Sequence, residues 1–265
     1  MKVSIVTISF NQVGFLNHAI RSVLEQDYPD IEYIVVDPGS TDGSRALIAG
    51  YADQIKTVLE PDHGPADGLN RGFARATGDV FAFLNSDDIL LPGAVRRAVE
   101  CLQSGRCDVV SGHAVVIDAE GRELRKVFSE AYSLKRYAYG TSILIQPSTF
   151  FTRAIFEKAG GFNPQNRSNW DGELYAEMAM HGARFALVDE YWSGYRLHGG
   201  SITGSGRLDK LITEYHSRMF RRIMRRDQRA SDALLARWFR LERMLRHPRS
   251  LWERVLRGPM YRRSK

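Results

Sequence analysis

An apolar run ends abruptly in an amide, a hydroxyl and two adjacent carboxylates in the stretch Phe83-Leu84-Asn85-Ser86-Asp87-Asp88-Ile89. Together with residues 80–82, the apolar part predicts a buried strand, because it is too short and too rich in β-favouring residues for a helix. Pro92 and Gly93 start a new element shortly afterwards. The carboxylates are therefore expected where a strand leaves a sheet, the edge at which open α/β sheets bind ligands.

Asp87 and Asp88 admit two interpretations at this position. Adjacent carboxylates repel each other and remain ionised together most easily beside a cation. Mg²⁺ and Mn²⁺ bind carboxylate oxygens and commonly share a ligand's phosphates, so the pair is a candidate site for a divalent metal and a diphosphate. The other interpretation is that the pair caps the next helix, since Asp is a favoured N-cap residue. The segment alone leaves both open.

Strands and helices alternate through the first part of the chain. Apolar patterns predict strands at 3–8, 31–36, 55–59 and 80–84, with helices between them. This spacing indicates an α/β fold with a doubly wound, mostly parallel sheet. Further along, we expect strands at 142–151 and 183–188 and a helix from residue 169 to about 181. A Gly-rich segment, 195–203, is expected to form a flexible loop able to act as a lid.

The first, second and fourth strands end in polar side chains: Asn11, Asp37, and Asn85 with Asp87. The carboxyl ends of parallel strands lie along one edge, so we expect these side chains to meet there. Polar residues also occur wherever loops begin, which accounts for any one of them. Three strand ends whose side chains suit a base, a ribose and a metal fit a nucleotide-binding site better than they fit ordinary loop starts. The dinucleotide and Walker A glycine patterns are absent, which leaves phosphates to a metal or to basic side chains.

Asp171 is a further candidate for a carboxylate that points into a cleft. It opens the helix predicted from residue 169, and Glu173 follows two residues later. Side chains two apart do not share a helix face, so only one points easily into a cleft, and we favour Asp171. The alternative is a first-turn carboxylate that merely stabilises the helix dipole.

Charge divides the chain into an acidic body and a basic tail. The net charge is +6, but residues 205–265 contain 18 Lys and Arg against 6 Asp and Glu, whereas residues 1–204 contain 19 against 25. Such asymmetry indicates that the tail meets an anionic partner. Two cysteines without metal or redox spacing favour a reducing compartment. We find no signal-peptide pattern and no apolar run long enough to span a membrane.

The tail contains apolar residues at three- and four-residue spacing among the arginines, which predicts amphipathic helices: Leu211, Ile212, Tyr215, Met219, Ile223, Leu234, Trp238, Leu241, Leu245, Trp252, Val255 and Leu256. One interpretation is that these faces pack on the body or on a partner chain. The other is that they lie on the surface of an anionic membrane. Nucleic acid is disfavoured, since aromatic residues do not alternate with the basic ones as stacking platforms would.

The residues from about 3 to 203 together resemble the inverting family 2 glycosyltransferases with the GT-A fold. The resemblance rests on an ordered series of motifs: Ser9-Phe10-Asn11, Val35-Val36-Asp37, Glu60-Pro61-Asp62, Asp67 with Asn70 and Gly72, Leu84-Asn85-Ser86-Asp87-Asp88, Gln146-Pro147-Ser148-Thr149-Phe150, Gly160-Gly161-Phe162, and Asp171 with Leu174. Each is weak alone, and their order makes the series specific. The DxD-like motif departs from the family pattern, because Asn85 stands where an Asp is expected.

The resemblance implies a role for each matching position. Phe10, Asn11, Asp37 and Asp67 would contact the base or ribose of a nucleotide, with Asn85 and Ser86 beside them. Asp87 would bind a divalent metal, Mn²⁺ or Mg²⁺, supported by Asp88, and His198 would approach the metal or the diphosphate. Asp171 matches the catalytic base.

The sequence therefore predicts a GT-A domain at residues 1–204 and a basic helical extension at residues 205–265. The expected function is metal-dependent transfer of a sugar, with inversion, from a nucleotide diphosphate donor such as a UDP-sugar to a glycan or lipid-linked acceptor in surface polysaccharide or glycoconjugate synthesis. We expect the protein in the cytoplasm, with the inner face of the membrane as a docking surface. The sequence leaves open whether the chain forms a homo-oligomer. A nucleotidyltransferase and a non-catalytic nucleotide-sugar-binding scaffold remain as alternatives.

Overall fold

One nine-stranded sheet forms the centre of the computed structural model, which describes residues 1–199 and 209–258. Its strands are β1 Val3–Ile8, β2 Ile31–Val36, β3 Lys56–Val58, β4 Val80–Asn85, β5 Ile89–Leu90, β6 Val109–Ile117, β7 Glu123–Val127, β8 Thr149–Thr152 and β9 Phe185–Arg196. The helices are α1 Val13–Leu24, α2 Ser44–Ala49, α3 Pro65–Phe73, α4 Ala94–Gln103, α5 Leu134–Ala138, α6 Arg153–Ala159, α7 Trp170–Met180, α8 Asp209–Met224, α9 Asp232–Arg246 and α10 Pro248–Arg257.

The strand order is β3-β2-β1-β4-β8-β6-β9-β5, with β7 beside β6. The first four of these strands are mutually parallel. β8 then runs antiparallel to both β4 and β6, whereas β6 and β9 are parallel to each other. The predicted α/β class is confirmed, and its parallel half is the half that carries the polar strand ends.

Two apolar cores cover the two faces of the sheet. One contains Val3 and Ile5 of β1 with the apolar faces of α1 and α4, and the other contains Val6 with residues of α3, α6 and α7. Because β1 is buried on both faces, even its two polar residues, Ser4 and Thr7, are inaccessible to solvent. The helices therefore fix the sheet from both sides and hold its carboxyl edge in place.

The strand predicted at 142–151 is wrong over most of its length. Residues 142–145 are not in a strand, Gln146–Ser148 form a short 3-10 helix, and only Thr149–Thr152 pair with neighbours. Pro147 explains the difference, because proline has no backbone N–H to donate to a ladder and suits the first turn of a helix.

The last strand is longer than predicted and removes two residues from the expected lid. β9 continues past residue 188 through Arg196, paired in parallel with β6 up to Ile117. Asp189 and Glu190 made the strand seem to end, yet their side chains are 66% and 40% exposed on its surface. Residues 195 and 196 are thus strand, and residues 200–203 of the predicted lid lie outside the described part of the chain, as does the domain boundary at 204/205.

The first helix of the basic tail, α8, packs on the body. Tyr215 and Met219 of α8 are buried in a cluster with Tyr137 and Ala176, and Phe220 is buried against Tyr139. The interpretation in which the apolar face packs on the body therefore applies to α8.

At the opposite edge of the sheet from the polar strand ends, Glu32 joins three strands. Its buried carboxylate accepts hydrogen bonds from Ser4 Oγ at 2.5 Å, from the Thr77 backbone N–H at 2.7 Å and from Lys56 Nζ at 2.6 Å. Burial by itself would raise the pKa of Glu32, but these donors outweigh it and lower the pKa to about 2. The ionised carboxylate is thus part of what holds β1, β2, β3 and the segment before β4 together.

Replacing Glu32 with Gln should lower the free energy of unfolding at neutral pH by about 1–3 kcal/mol, because a charged acceptor of several hydrogen bonds is lost. The folded pKa of Glu32 lies below its ordinary value of 4.5, so its stabilisation is complete above that pH and is lost as the pH falls toward 2. Urea denaturation over this range should show wild type and variant converging. A gap independent of pH would contradict the assignment, and Glu25→Gln, on an exposed helix face, is the control.

Candidate active site

The polar strand ends predicted from the sequence do meet at one edge of the sheet. Ile8 of β1 lies opposite both Val36 of β2 and Asn85 of β4, so the residues that follow these three strands are neighbours. Backbone hydrogen bonds continue the ladder, from Ser9 N–H to Val36 O and from Ser86 N–H to Ile8 O. The predicted site residues on these loops therefore share one cleft edge.

Asp37 occupies the centre of this edge with a fully buried carboxylate. Its Oδ1 accepts hydrogen bonds from the backbone N–H groups of Gly39 and Ser40 and from Arg45 Nε, at 3.0, 2.8 and 3.2 Å. Within residues 1–199 and 209–258, Oδ2 has no hydrogen-bond partner. A buried carboxylate oxygen without a donor is costly, so Oδ2 is positioned to accept a hydrogen bond from a ligand.

Asn11 forms two hydrogen bonds with the loop that follows Asp37. Its backbone lies in the left-handed region with φ of 52°, which Asn tolerates better than most residues. Its N–H donates to Ser40 Oγ at 2.8 Å, and its Oδ1 accepts from the Thr41 N–H at 2.9 Å. The preceding Phe10 is 58% exposed at the same edge. Asn11 therefore shapes the cleft, whereas Phe10 presents an open aromatic face.

Asp67 lies in the first turn of α3, beside the cleft. Its Oδ2 accepts from the His63 backbone N–H at 3.0 Å and from Arg71 Nε at 3.1 Å. The bond from His63 is the main reason why the pKa of Asp67 falls below its ordinary value, with Arg71 adding to the effect. Asp67 thus stays ionised and fixes the loop before α3.

Asn85 and Ser86 are held by neighbouring elements at the end of β4. Asn85 Nδ2 donates to Gln146 Oε1 at 3.2 Å, and Gln146 Nε2 donates to Phe83 O at 2.6 Å. Ser86 is buried. The 3-10 helix that replaced the predicted strand therefore orients the amide at the start of the DxD-like motif.

Asp88 lies behind Asp87 and is almost completely buried. Its Oδ1 accepts from the Arg196 backbone N–H at 2.8 Å, while its Oδ2 has no hydrogen-bond partner in the described structure. Burial, followed by the nearby charge of Asp87, raises the pKa of Asp88 well above its ordinary value. The two adjacent carboxylates thus have different surroundings, with Asp87 the more accessible of the pair.

Arg196, the last residue of β9, fastens the turn that contains both aspartates. Its Nε donates to Asp87 O at 2.7 Å, and its Nη1 donates to Asp118 O and Ala119 O at 2.8 and 2.9 Å. Burial lowers the pKa of the guanidinium, and the charges of Asp88 and Asp87 oppose that effect. One planar group thereby joins the β4 turn to the β6–β7 hairpin.

His198 reaches the exposed side of the same turn. Its Nε2 lies 3.1 Å from Asp87 Oδ2. The Phe15 ring lies 4.5 Å from the imidazole and 5.1 Å from the Arg196 guanidinium, measured to ring centroids. Aromatic packing from α1 therefore supports the histidine predicted to approach a metal or diphosphate.

Asp87 and His198 suit a divalent cation in donor type and placement. A carboxylate and an imidazole are a donor set that Mn²⁺ accepts, with further oxygens supplied by water or phosphate. Among the described residues, no group of three or more His, Cys, Asp or Glu side chains is arranged to hold a metal by itself. A cation here would thus need ligands beyond these two side chains, which the oxygens of a bound diphosphate could supply.

Asp171 begins α7 within a group of tyrosines. Desolvation raises the pKa of Asp171, while the backbone N–H groups of Gly172 and of Asp171 itself oppose the rise. Burial, together with the Asp171 charge, raises the pKa of Tyr175. Glu173 is committed elsewhere, because its carboxylate accepts from Asn163 and Asn166 at 3.1 and 2.5 Å. Within the described residues, Glu173 thus has two side-chain donors, whereas Asp171 has only the neighbouring backbone N–H groups.

Tyr137 connects this region to the tail. Its hydroxyl lies 2.5 Å from the Tyr215 hydroxyl of α8 and accepts from Asn169 Nδ2 at 3.2 Å. Asn169 precedes the helix that carries Asp171. The tail helix therefore buttresses the start of α7.

Sequence reasoning missed Arg196, Tyr137 and the bonding role of Gln146. Arg196 was placed in a flexible loop, and only its position two residues before His198 could have drawn attention to it. Gln146 was visible as part of a motif, but its partners are 61 and 63 residues away. Nothing in local spacing signals such contacts.

The family model described as "Glycosyl transferase family 2" matches residues 4–160. An uncharacterised glycosyltransferase from Nostoc sp. is 32% identical over 216 residues, which cover 76% of this chain and 66% of that protein. The succinoglycan biosynthesis protein ExoO from Rhizobium meliloti is 28% identical over 225 residues, covering 79% and 64%. A GalNAc(5)-diNAcBac-PP-undecaprenol beta-1,3-glucosyltransferase from Campylobacter jejuni is 33% identical over 133 residues, covering 48% and 42%. The chain spans about two thirds or less of the length of these relatives.

Solved structures share the fold at low sequence identity. S. aureus TarS in complex with UDP-GlcNAc superposes with a TM-score of 0.70 at 19% identity, over 93% of this chain and 73% of that one. The mannosyltransferase PcManGT from Pyrobaculum calidifontis, in complex with GDP-Man and Mn²⁺, gives 0.64 at 19% identity, over 96% and 74%. The predicted GT-A fold is thereby confirmed.

Replacing Arg196 with Lys should lower the free energy of unfolding by about 1–3 kcal/mol, because a single ammonium cannot reproduce the guanidinium's bonds to both Asp87 O and Asp118 O. Urea denaturation at constant pH measures the loss. Arg184→Lys is the matched control, since that side chain is 57% exposed and bonds Asp108 at the surface. Equal stability of the Arg196 variant and wild type would contradict the assigned role.

Proposed function

The chain belongs to glycosyl transferase family 2, and on that premise we propose that it transfers a sugar, with inversion, from a nucleotide diphosphate donor to an acceptor hydroxyl. The observation that carries the proposal is the convergence of Asp37, Asn11 and Asp87 at one edge of the sheet, where Asp37 Oδ2 is buried and lacks a donor. Hydrogen-bond donors of a nucleotide would satisfy that oxygen.

The proposed donor is a UDP-sugar whose nucleotide lies along the ends of β1, β2 and β4. Asp37 would accept a hydrogen bond from the nucleotide, the exposed Phe10 ring would cover a flat face of it, and Asp67 would hold the adjoining loop. Support for this donor class comes from the shared fold with TarS bound to UDP-GlcNAc, and PcManGT, bound to GDP-Man, makes the choice of base a matter for experiment.

Asp87 and His198 are the residues that would hold a divalent cation, Mn²⁺ or Mg²⁺, with Asp88 as support from behind. Such a cation would neutralise the charge that develops on the departing diphosphate. The protein's own contribution is to keep the Asp87 carboxylate in place. The bond from Arg196 Nε to Asp87 O and the bond from the Arg196 N–H to Asp88 Oδ1 perform that task.

Asp171 would act as the general base. Its desolvated carboxylate has a raised pKa, which makes it a better proton acceptor than an ordinary aspartate. Taking the acceptor's hydroxyl proton as the oxygen attacks the anomeric carbon gives direct displacement, and a single displacement inverts the configuration there. The nucleophile and leaving group would then need to be aligned for in-line attack.

A glycan or lipid-linked acceptor in surface polysaccharide or glycoconjugate assembly is the proposed second substrate. The support is the names of two relatives, a succinoglycan biosynthesis protein and an undecaprenol-linked glucosyltransferase. None of the helices in the described residues is long and apolar enough to cross a membrane.

Asp87→Ala should abolish the metal-dependent part of donor binding. Thermal unfolding of wild type should shift upward with UDP or GDP in the presence of Mn²⁺ by more than with the nucleotide alone, and the variant should lose that increment. Asp53→Ala, at an exposed position outside the cleft, should behave as wild type. If no nucleoside diphosphate raises the unfolding temperature of the folded protein, the proposed donor site is wrong. The alternative of a nucleotide-sugar-binding scaffold is then contradicted too, because it needs the same ligand.

Asp171→Asn should lower kcat by about 10²-fold or more while leaving the Kd for the donor unchanged, because only the proton acceptor is lost. The wild-type rate should fall on the acid side through an apparent pKa above the ordinary aspartate value of 3.8. A raised folded pKa means that ionised Asp171 destabilises the fold at neutral pH, so the neutral Asn should not reduce stability. Unchanged turnover would exclude Asp171 as the base, and absent turnover in wild type would favour the scaffold.

A further inference from the structure

The helix α9 has a polar face that is fastened to the body. Asp232 Oδ1 accepts from Tyr139 OH at 2.9 Å, and the Phe239 ring lies 5.3 Å from the same tyrosine ring. Arg243 Nε donates to Glu130 Oε1 at 2.5 Å. At 100° per residue, these three side chains lie within one sector of the helix and fix which side of α9 meets the body.

The opposite side of α9 consists of large apolar side chains. Leu234, Trp238, Leu241 and Leu245 recur at spacings of four, three and four, and they are between 50% and 75% exposed. Ordinary surface helices turn such a stripe toward the core. Here the inward position is already taken by the contacts to Tyr139 and Glu130, so the stripe faces away from the protein.

The next helix extends the same kind of surface. In α10, Trp252, Val255 and Leu256 are between 64% and 73% exposed. The helix is fastened to the body by Arg249 to Asp189 at 2.6 Å and by the Lys126 backbone N–H to Glu253 at 3.3 Å. We call these seven exposed side chains of α9 and α10 the C-terminal apolar face.

The charges around the C-terminal apolar face are cationic. Residues 232–257 contain seven arginines and three acidic residues. The acidic side chains are all engaged, Asp232 with Arg226, Glu242 with Arg136 and Arg246, and Glu253 with Arg257. Three of the arginines form no ion pair with described residues: Arg237, Arg240 and Arg254.

From this combination we propose that the C-terminal apolar face docks on the surface of an anionic lipid bilayer. Apolar side chains at helical spacing insert at the boundary between headgroups and acyl chains, while arginines beside them reach lipid phosphates. A second copy of the chain is a poorer occupant, because it would bring the same uncompensated arginines against these. The docking needs neither donor nor acceptor, so it goes beyond the proposed transfer reaction and is measured independently of it.

The experiment is cosedimentation of the full chain with vesicles of phosphatidylcholine alone or mixed with phosphatidylglycerol. We expect at least about tenfold tighter binding to the anionic vesicles, weakened by salt. Bound protein should show quenching of tryptophan fluorescence by brominated acyl chains, since Trp238 and Trp252 are exposed, whereas Trp192 is buried and Trp170 is only partly exposed.

Two double variants test separately the apolar and the electrostatic contributions to vesicle binding. Trp238→Ser with Leu245→Ser should lower binding about tenfold or more, and Arg237→Gln with Arg240→Gln should remove most of the preference for anionic lipid. Arg106→Gln with Arg153→Gln removes the same charge from the body and should change little. All substituted side chains are exposed, so the far-ultraviolet circular dichroism and thermal midpoint verify folding.

Absence of wild-type binding to anionic vesicles would overturn the proposal. Binding that the Trp238 and Leu245 substitutions leave intact would overturn it as well, since another surface would then be responsible. Sedimentation velocity adds the remaining outcome: a dimer that dissociates in that double variant, without vesicle binding, would assign the C-terminal apolar face to a second copy. Loss of vesicle binding with sugar transfer retained on a water-soluble acceptor would leave the proposed function in place.

Discussion

The parallel pairing of β1 with both β2 and β4 is the constraint on which the site depends. Ile8 lies opposite Val36 on one side and Asn85 on the other, so three chain segments distant in sequence leave the sheet at the same height. A slip of one residue in either pairing would turn the alternating side chains to the wrong core and displace Asp37 or Asp87. The two apolar cores oppose that slip, because β1 is buried on both faces.

Four aspartates of the predicted site differ in their surroundings. One carboxylate oxygen of Asp37 accepts hydrogen bonds from the following loop, and the other has no hydrogen-bond partner among the described residues. Asp88 is buried, and one of its oxygens accepts from the Arg196 backbone N–H. Asp87 remains accessible beside His198, and Asp171 is desolvated at the start of α7. Burying carboxylates in this way costs stability, which fits a role in binding and proton transfer better than a role in holding the fold.

The tail packs on the body through its first helix and leaves apolar side chains exposed on the next two. Tyr215, Met219 and Phe220 bury the apolar side of α8 on the body, and the Tyr137–Tyr215 contact links that helix to the residues preceding Asp171. The apolar stripe of α9 points outward because a polar side of that helix is bonded to Tyr139 and Glu130. One stretch of sequence thus packs its first helix beside the start of α7 and exposes a cationic, apolar surface on the next two helices.

The sequence alone determined the bounds of β1 and β2, the α/β class and the polar residues at the strand ends, because these follow from local apolar patterns and turn residues. It could not determine that residues 142–148 leave the sheet, that β9 continues to Arg196, or that Gln146 orients Asn85, since each depends on partners far along the chain. Periodicity likewise revealed that α8 and α9 are amphipathic. Only tertiary packing decided that the apolar stripe is buried in α8 and exposed in α9. The side of α9 that faces the body is already occupied by the contacts of Asp232 and Arg243.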